Sequence, residues 1–470
     1  MALNYDLSKI RIGKFRYNSP MTQVVLIGFV CFCCPGMFNC INGMGAGGQQ
    51  AGNTATNGNV ALYCTFAVFG VFGGAFYNYF GIRSCLLGGG VTYALYTGSL
   101  LYVRKTAYKI DGVIYNTPNA EAFVITTSAI LGIGAGILWT AQGVIMMSYP
   151  NEADKGKCVA VFWVIFNMGG VMGAWIPFGL DYHNTGGGAS YSTYVAFLCI
   201  MCCGAAMGIL LLPPEKIVRN DGSRVQVEKF QNAFTEAKAI LLLFMDKNML
   251  LLTPVSIASN WFYTYQFNDV NSALFDNRSN SFNNAFYWFF QMIGAMIIGS
   301  FLDYKGLSRR TRAIYGLCGV WACIMIIWGG GLGMQAQYSR YSLHHDGMYQ
   351  KYDFIRDRSF FWPRWFLYCC YGLLDAATQS YAYWIMGTMT NDSSQLGRYS
   401  GYYKGIQSAG AAIAWRIDAV KAPYIAEFIV AWSLLVISFP FTLILARNVK
   451  ETCNEDEEDP KVKPESIAQA

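Results

Sequence analysis

The sequence predicts an all-α polytopic membrane protein, with about twelve transmembrane helices in two six-helix halves. Three observations point there. Only 13% of the 470 residues are charged while 54% are hydrophobic, roughly half the charge of a soluble globular chain. Apolar runs such as 21–39, 62–80, 122–147 and 427–445 approach or exceed the ~20 residues that a helix needs to cross a bilayer. A polar segment at 213–248, opening with Pro213-Pro214, divides these runs into two sets.

In chain order, residues 1–20 form a basic segment without the pattern of a cleavable leader. The first half, 21–212, carries expected spans at 21–43, 59–80, 84–103, 122–148, 159–180 and 191–212. The linker 213–248 follows. The second half, 249–447, carries spans at 249–268, 283–302, 313–334, 361–388, 401–420 and 424–447. Residues 448–470, with Glu455-Asp-Glu-Glu-Asp459, read as a solvated acidic tail. All spans are expected to be helices, because a lone strand leaves its backbone groups unpaired in hydrocarbon.

The excess of Lys and Arg assigns the sides. Lys9, Arg11, Lys14, Arg16, Arg83, Lys155, Lys157, the linker, Lys305, Arg309, Arg310, Arg312, Arg398 and Lys404 fall together, on the expected cytoplasmic side. Both termini belong there as well. The opposite side holds Arg104, Lys105, Lys109 and the loop 335–359 with Arg340, Lys351, Arg356 and Arg358. Asn277-Arg-Ser279 lies on that outer side and is the glycosylation candidate. The expected location is the plasma membrane or a vacuolar or other endomembrane.

The 15 cysteines, including Cys31-Phe-Cys-Cys34 and Cys202-Cys203, sit mainly in apolar runs and read as small hydrophobes, not as a metal or disulfide set. Basic residues are scattered at span ends, which excludes a nucleic-acid surface. Gly43-Met-Gly-Ala-Gly-Gly48 imitates a dinucleotide loop, but no strand precedes it, so no nucleotide cofactor is expected. No nucleophile–base–acid set appears, so no enzyme activity is expected. The expected partners are the lipid bilayer and a small-molecule or ion substrate.

One short pattern is written twice. Gly74-Ala-Phe-Tyr-Asn78-Tyr-Phe-Gly81-Ile-Arg83 follows the second run, and Gly299-Ser-Phe-Leu-Asp303-Tyr-Lys-Gly306, with Arg309 and Arg310 behind it, follows the eighth. Both fit G-x-x-x-[DN]-x-x-G. The glycines suit a tight reversal, the carboxylate can cap a helix or hold a cation, and the basic residues suit the headgroup zone. Two copies at equivalent places in two halves resemble the inner-loop signature of the major facilitator superfamily, which implies that fold and an inner gate at these residues. Asn78 departs from the superfamily's Asp and removes an ion pair from the first copy. Asn42-Gly-Met-Gly-Ala-Gly-Gly-Gln-Gln50, Gly132–Gly143, Gly156–Asn167 and Tyr403–Gly410 are similar to the uncoordinated-ninety-three-like (Unc-ninety-three) family, the last especially to its fungal members. That resemblance implies the same fold. It also implies an alternative role, because some relatives are described as regulators of channels or trafficking chaperones of receptors.

Asp375, near the middle of the tenth span, is the sharpest candidate, since a carboxylate at that depth is costly. Gln379 and Tyr383 follow at i+4 and i+8 on one helical face, which the superfamily would turn toward a central cavity. Arg416 and Asp418 near the outer end of the eleventh span are drawn into the bundle or mark the interface, with Asp375 or Arg364 as expected partners. Asn39 and Asn42 in the first span, Gln142 in the fourth, and Asn260, Tyr263 and Gln266 in the seventh are cavity candidates. Asn167, Gln291 and Gln407 are expected to act as interhelical glue. The function expected is alternating-access transport of a small polar solute or ion. The alternative is a non-transporting regulator or chaperone with a membrane-protein partner.

Overall fold

The computed structural model describes residues 7–13, 15–49, 53–110, 113–150, 152–183, 188–219, 221–225, 233–345, 350–390 and 393–451. Among them the chain forms twelve long helical segments. The first span is Pro20–Gly43. Ser19 caps it by accepting from the Thr22 N–H, and Pro20 sits where its missing N–H costs nothing. Pro35 has no N–H to give to the preceding turn, and the helix widens into a π-turn at Phe32–Gly36.

The second and third spans form one run, Thr54–Thr106, broken only at Gly81. Gly81 takes φ 74° and ψ 170°, a conformation open to glycine, and this lets two helices reverse without a loop. The fourth, fifth and sixth spans are Pro118–Ser148, Glu152–Leu180 and Tyr191–Met207. In the linker, Arg219 donates to the carbonyls of Ser148 and Tyr149, and a helix forms at Ala233–Leu242.

The seventh span is Lys247–Trp261, continued by a π-helical stretch at Tyr265–Ser272. It is followed by Asn277–Leu302, Arg309–Gln335, Arg358–Gly387, Ser393–Ala419 and Tyr424–Arg447. Two small hairpins, Arg11–Ile12 with Phe15–Arg16 and Tyr108–Ile110 with Val113–Tyr115, decorate the ends.

Among the described residues, eight helices are both long and apolar enough to cross a membrane, and the bent seventh makes nine. The third, tenth and eleventh fall short. Polar side chains explain the last two: the tenth carries Asp375 and Gln379, and the eleventh carries Lys404 and Gln407. Each half has its own apolar core, and Ala411, Ala412 and Trp415 of the eleventh span pack into the core of the first half. The halves meet mainly along the second and eleventh spans and along the fifth and eighth.

One crossing positions the site. A Cβ on Gly372 would stand 2.3 Å from the Tyr287 carbonyl oxygen, and one on Gly294 would stand 2.2 Å from that of Leu373. The eighth and tenth helices touch backbone to backbone there, as small residues allow in a bilayer.

Candidate functional site

Asp375 is 1% exposed in the middle of the tenth span. The close eighth–tenth crossing brings Tyr287 and Gln291 to it. Its Oδ2 accepts from the Tyr287 hydroxyl at 3.1 Å and from Gln291 Nε2, and its Oδ1 accepts from Gln379 Nε2 at 2.6 Å. The Tyr287 hydroxyl also faces Gln266 Oε1 at 2.8 Å, so a single hydrogen serves two acceptors. Gln379 Nε2 further approaches the Tyr263 hydroxyl at 3.3 Å. All these partners are neutral. A buried carboxylate held only by neutral donors is a group that exchanges a proton or small cation at modest cost.

A second chain of contacts runs away from it. Lys404 Nζ donates to Gln407 Oε1 at 2.9 Å, and Gln407 Nε2 donates to Gln379 Oε1 at 3.1 Å. Together with the Gln379–Asp375 bond, two amides join an ammonium to a carboxylate with every donor pointing the same way. Lys404 Nζ also lies 5.6 Å from the Trp139 ring centre and 5.8 Å from those of Tyr383 and Tyr403, within cation–π range.

The basic-residue bias counted Lys404 with the residues at the cytoplasmic span ends, but the helix that carries it begins well before it. The eleventh helix starts at Ser393, not near 401. Lys404 is thus about 16 Å along the helix from its inner end, at 1.5 Å per residue. Trp139, Tyr263, Gln379, Tyr383 and Lys404 are only half-buried although they lie deep between the helices. Such side chains line a space. Asn39, Gln142 and Asn260 are also half-buried, the last two one turn from Trp139 and Tyr263 on their helices.

Asp418 is 5% exposed and pairs neither with Asp375 nor with Arg364, contrary to expectation. Its partner is Arg340, whose NH2 lies 2.6 Å from Asp418 Oδ1, 3.1 Å from Glu427 Oε1 and 3.4 Å from Asp269 Oδ1. The three carboxylates are near enough to hold a cation, with ligand atoms within 4.8 Å of one another, and the guanidinium supplies positive charge there. Arg416 turns away and reaches Asn57 Oδ1 at 3.5 Å. Arg364 donates to Gln337 Oε1.

At the loops that carry the repeated pattern, the Asp303 side chain is exposed, while its backbone N–H closes the eighth helix on Gly299 O at 2.9 Å. The cap of the ninth helix is Ser308, which accepts from the Thr311 N–H. Arg312 straps the turn by donating to the Leu302 carbonyl, and Arg309 reaches Gly387 O, whereas Arg310 is exposed. Gly306 packs against the Tyr304 ring, while a Cβ on Gly299 would meet nothing. In the first copy Arg83 donates to the Leu211 carbonyl at 2.7 Å. The Asn78 side chain and residues 452–470 lie outside what the structure describes.

The ends of the halves opposite the repeated turns are joined by asparagines that the sequence reading did not single out for this role. Asn271 Nδ2 donates to Gly43 O, Asn280 Nδ2 to Met44 O and Asn284 Nδ2 to Cys40 O, at 2.8–3.0 Å. Gly43 is required at that point, since a Cβ there would sit 2.1 Å from Asn284 Oδ1. Asn277 Nδ2 donates to Gly188 O at 2.8 Å, so the sequon nitrogen is engaged across the halves in this conformation. Asn53 Nδ2 closes the far side on Ala419 O at 2.7 Å. The signal was legible: 277, 280, 284, 287 and 291 follow one another by three or four residues, a single stripe on the eighth helix.

Comparisons with known proteins agree with this fold. The pattern describing the Major Facilitator Superfamily matches residues 24–415. The chain is 46% identical to UNC93-like protein 1 of Arabidopsis thaliana, over 96% of this chain and 95% of the relative. It is 41% identical to an UNC93-like protein of Schizosaccharomyces pombe, over 90% of this chain and 82% of that one. Among solved structures, a partially occluded inward-open form of the xylose transporter XylE from E. coli superposes with a TM-score of 0.58 at 13% identity, covering 92% of this chain and 98% of that one. At such identity the likeness speaks for the fold alone. With two six-helix halves, a polar centre and these relatives in hand, the chain belongs to the UNC93-like proteins of the major facilitator superfamily, multi-pass integral membrane proteins.

Proposed function

We propose that the protein carries a small polar solute across its membrane by alternating access, with Asp375 as the group that takes up and releases the coupling proton. The observation behind this reading is the setting of Asp375: fully buried at mid-helix, held only by neutral donors from the eighth and tenth helices, and bonded onward to the half-accessible Lys404. A carboxylate needed only for architecture would be expected to face a fixed cation or to be replaced by an amide. The outer seam of asparagines supplies the other element of an alternating-access cycle, a closed gate on one side.

The test is uptake of a panel of radiolabelled polar solutes into proteoliposomes under an inward proton gradient, with wild type beside Asp375→Asn. The variant keeps size and hydrogen bonding and removes the titrating group. Gradient-driven uptake by the wild type and its loss in a correctly folded Asp375→Asn protein are expected. Uptake that survives the substitution removes the coupling role. No uptake by either protein, together with co-purification of another membrane protein with both, favours the regulator instead.

A further inference from the structure

We propose that the solute is a small organic carboxylate, bound by Lys404 and carried together with a proton on Asp375 as an electrically neutral pair. This rests on the transport reading above and adds the charge of the cargo to it.

The cavity offers an open positive charge and little open negative charge. Gln379, Tyr287 and Gln291 take three of the roughly four acceptor positions of Asp375, and the Tyr263 hydroxyl bonds to the same carboxylate, so a solute cation entering the space meets little open carboxylate oxygen. Lys404 is the reverse. An ammonium has three N–H donors, and among the described residues one is used, on Gln407. The rest face a half-accessible space walled by Trp139, Tyr383 and Tyr403. Those rings are already occupied by a cation, the protein's own. The unmet demand is therefore for an anion, and two unspent N–H groups suit the two oxygens of a carboxylate.

Charge neutrality points the same way. Lys404 and Asp375 are one positive and one negative charge joined through Gln407 and Gln379. The other titratable groups around them are the phenols of Tyr63, Tyr263, Tyr287, Tyr383 and Tyr403. With both ions charged and the site empty, the sum is zero. A proton alone leaves +1 and an anion alone leaves −1, and in a low-dielectric interior either unpaired charge is costly. With both bound the sum returns to zero. Each ligand thus strengthens the other, and the coupling is reciprocal. The half-buried amides of Asn39, Gln142 and Asn260 would serve the polar remainder of the solute.

The test uses purified full-length protein in nanodiscs and reads thermal unfolding. The probes are sodium lactate, succinate and gluconate, the chlorides of ethanolamine and choline, and xylose, each at about pH 6 and about pH 8. At least one carboxylate should raise the midpoint, with apparent affinity falling up to about tenfold per pH unit as pH rises. Lys404→Met should abolish the effect. Should that variant not fold, Lys404→Arg replaces it and should keep carboxylate binding. Asp375→Asn, an uncharged stand-in for the protonated acid, should bind the same carboxylate with no pH dependence. Stabilisation by the amines or xylose instead, by no carboxylate at either pH, or equally in Lys404→Met overturns the anion assignment. None of these results touches the flux experiment on Asp375, which fails or succeeds separately.

Discussion

The outer seam gives the clearest quantitative expectation. Consider Asn280→Ala combined with Asn284→Ala. Asn280→Ala deletes the bond to Met44 O at 3.0 Å, and Asn284→Ala deletes the bond to Cys40 O at 2.8 Å together with a weak contact to Cys40 Sγ at 3.8 Å. Cys40 O keeps its intrahelical partner, the Met44 N–H, so that acceptor is not orphaned. On opening, the freed groups meet water, so each bond contributes only its net value of about 0.5–1.5 kcal/mol. The pair should therefore shift the gate toward the outward-open form by about 1–3 kcal/mol, roughly 5- to 150-fold. Asn284 Oδ1 also accepts from Trp288 Nε1 at 2.8 Å, but that bond lies within one helix and survives opening. Its loss lowers fold stability in both states and cancels from the gate equilibrium. Cys40, fully buried under the seam, is a native reporter. Its labelling by a membrane-impermeant maleimide, located by peptide mapping, should accelerate by the same factor. Unchanged labelling in a folded double variant refutes the seam as the outer gate.

Other expectations follow from the same contacts. Arg340→Gln removes the cation shared by Asp269, Asp418 and Glu427, which are at most 5% exposed, and should cost about 3 kcal/mol in thermal or denaturant unfolding; a change under about 0.5 kcal/mol would deny the cluster any structural weight. In the loop before the tenth span, burial alone would push the Asp353 carboxyl up, but the Arg278 guanidinium at 2.5 Å and the N–H groups of Arg356 and Ile355 hold it down at about 2. Because the folded value is the depressed one, its stabilising contribution is present above about pH 4 and is lost as pH falls toward 2. Asp353→Asn should flatten the unfolding midpoint across that window, and an unaltered pH profile refutes the link. Gly372→Ala drives a methyl against the Tyr287 carbonyl at 2.3 Å and should destabilise by about 1–3 kcal/mol while spreading the eighth and tenth helices; wild-type stability would show that the crossing has slack.

Much of the architecture could be read from the chain because a bilayer demands long apolar runs and a polar break between the halves. Asp375 stood out for the same reason, as a lone carboxylate in such a run. Its partners did not. Tyr287 and Gln291 are neutral residues more than eighty positions away, and only the backbone contact at Gly294 and Gly372 makes them neighbours. Lys404 was assigned to the wrong depth because charge near an apparent span end is ambiguous until the helix start is known. Asp418 lacked its partners because Arg340 and Glu427 lie on separate elements. The inner-loop pattern marked a turn correctly, yet its conspicuous Asp303 does less there than Ser308 and Arg312.

The stripe on the eighth helix joins two events that are usually pictured as separate switches. Asn277, Asn280 and Asn284 hold the first half, while Tyr287 and Gln291 hold Asp375, all within about 21 Å of one rod at 1.5 Å per residue. The helix from Asn277 to Leu302 contains no proline, and its glycines, Gly294 and Gly299, lie beyond the last of these residues. With no hinge between its two tasks, the rod moves as a piece. Tilting it away from the carbonyls of Cys40, Met44 and Gly188 also strips hydrogen-bond donors from the carboxylate. In the transport cycle proposed above, the proton on Asp375 and the position of the gate then share one mechanical coordinate, and slippage between proton and cargo would require this helix to bend.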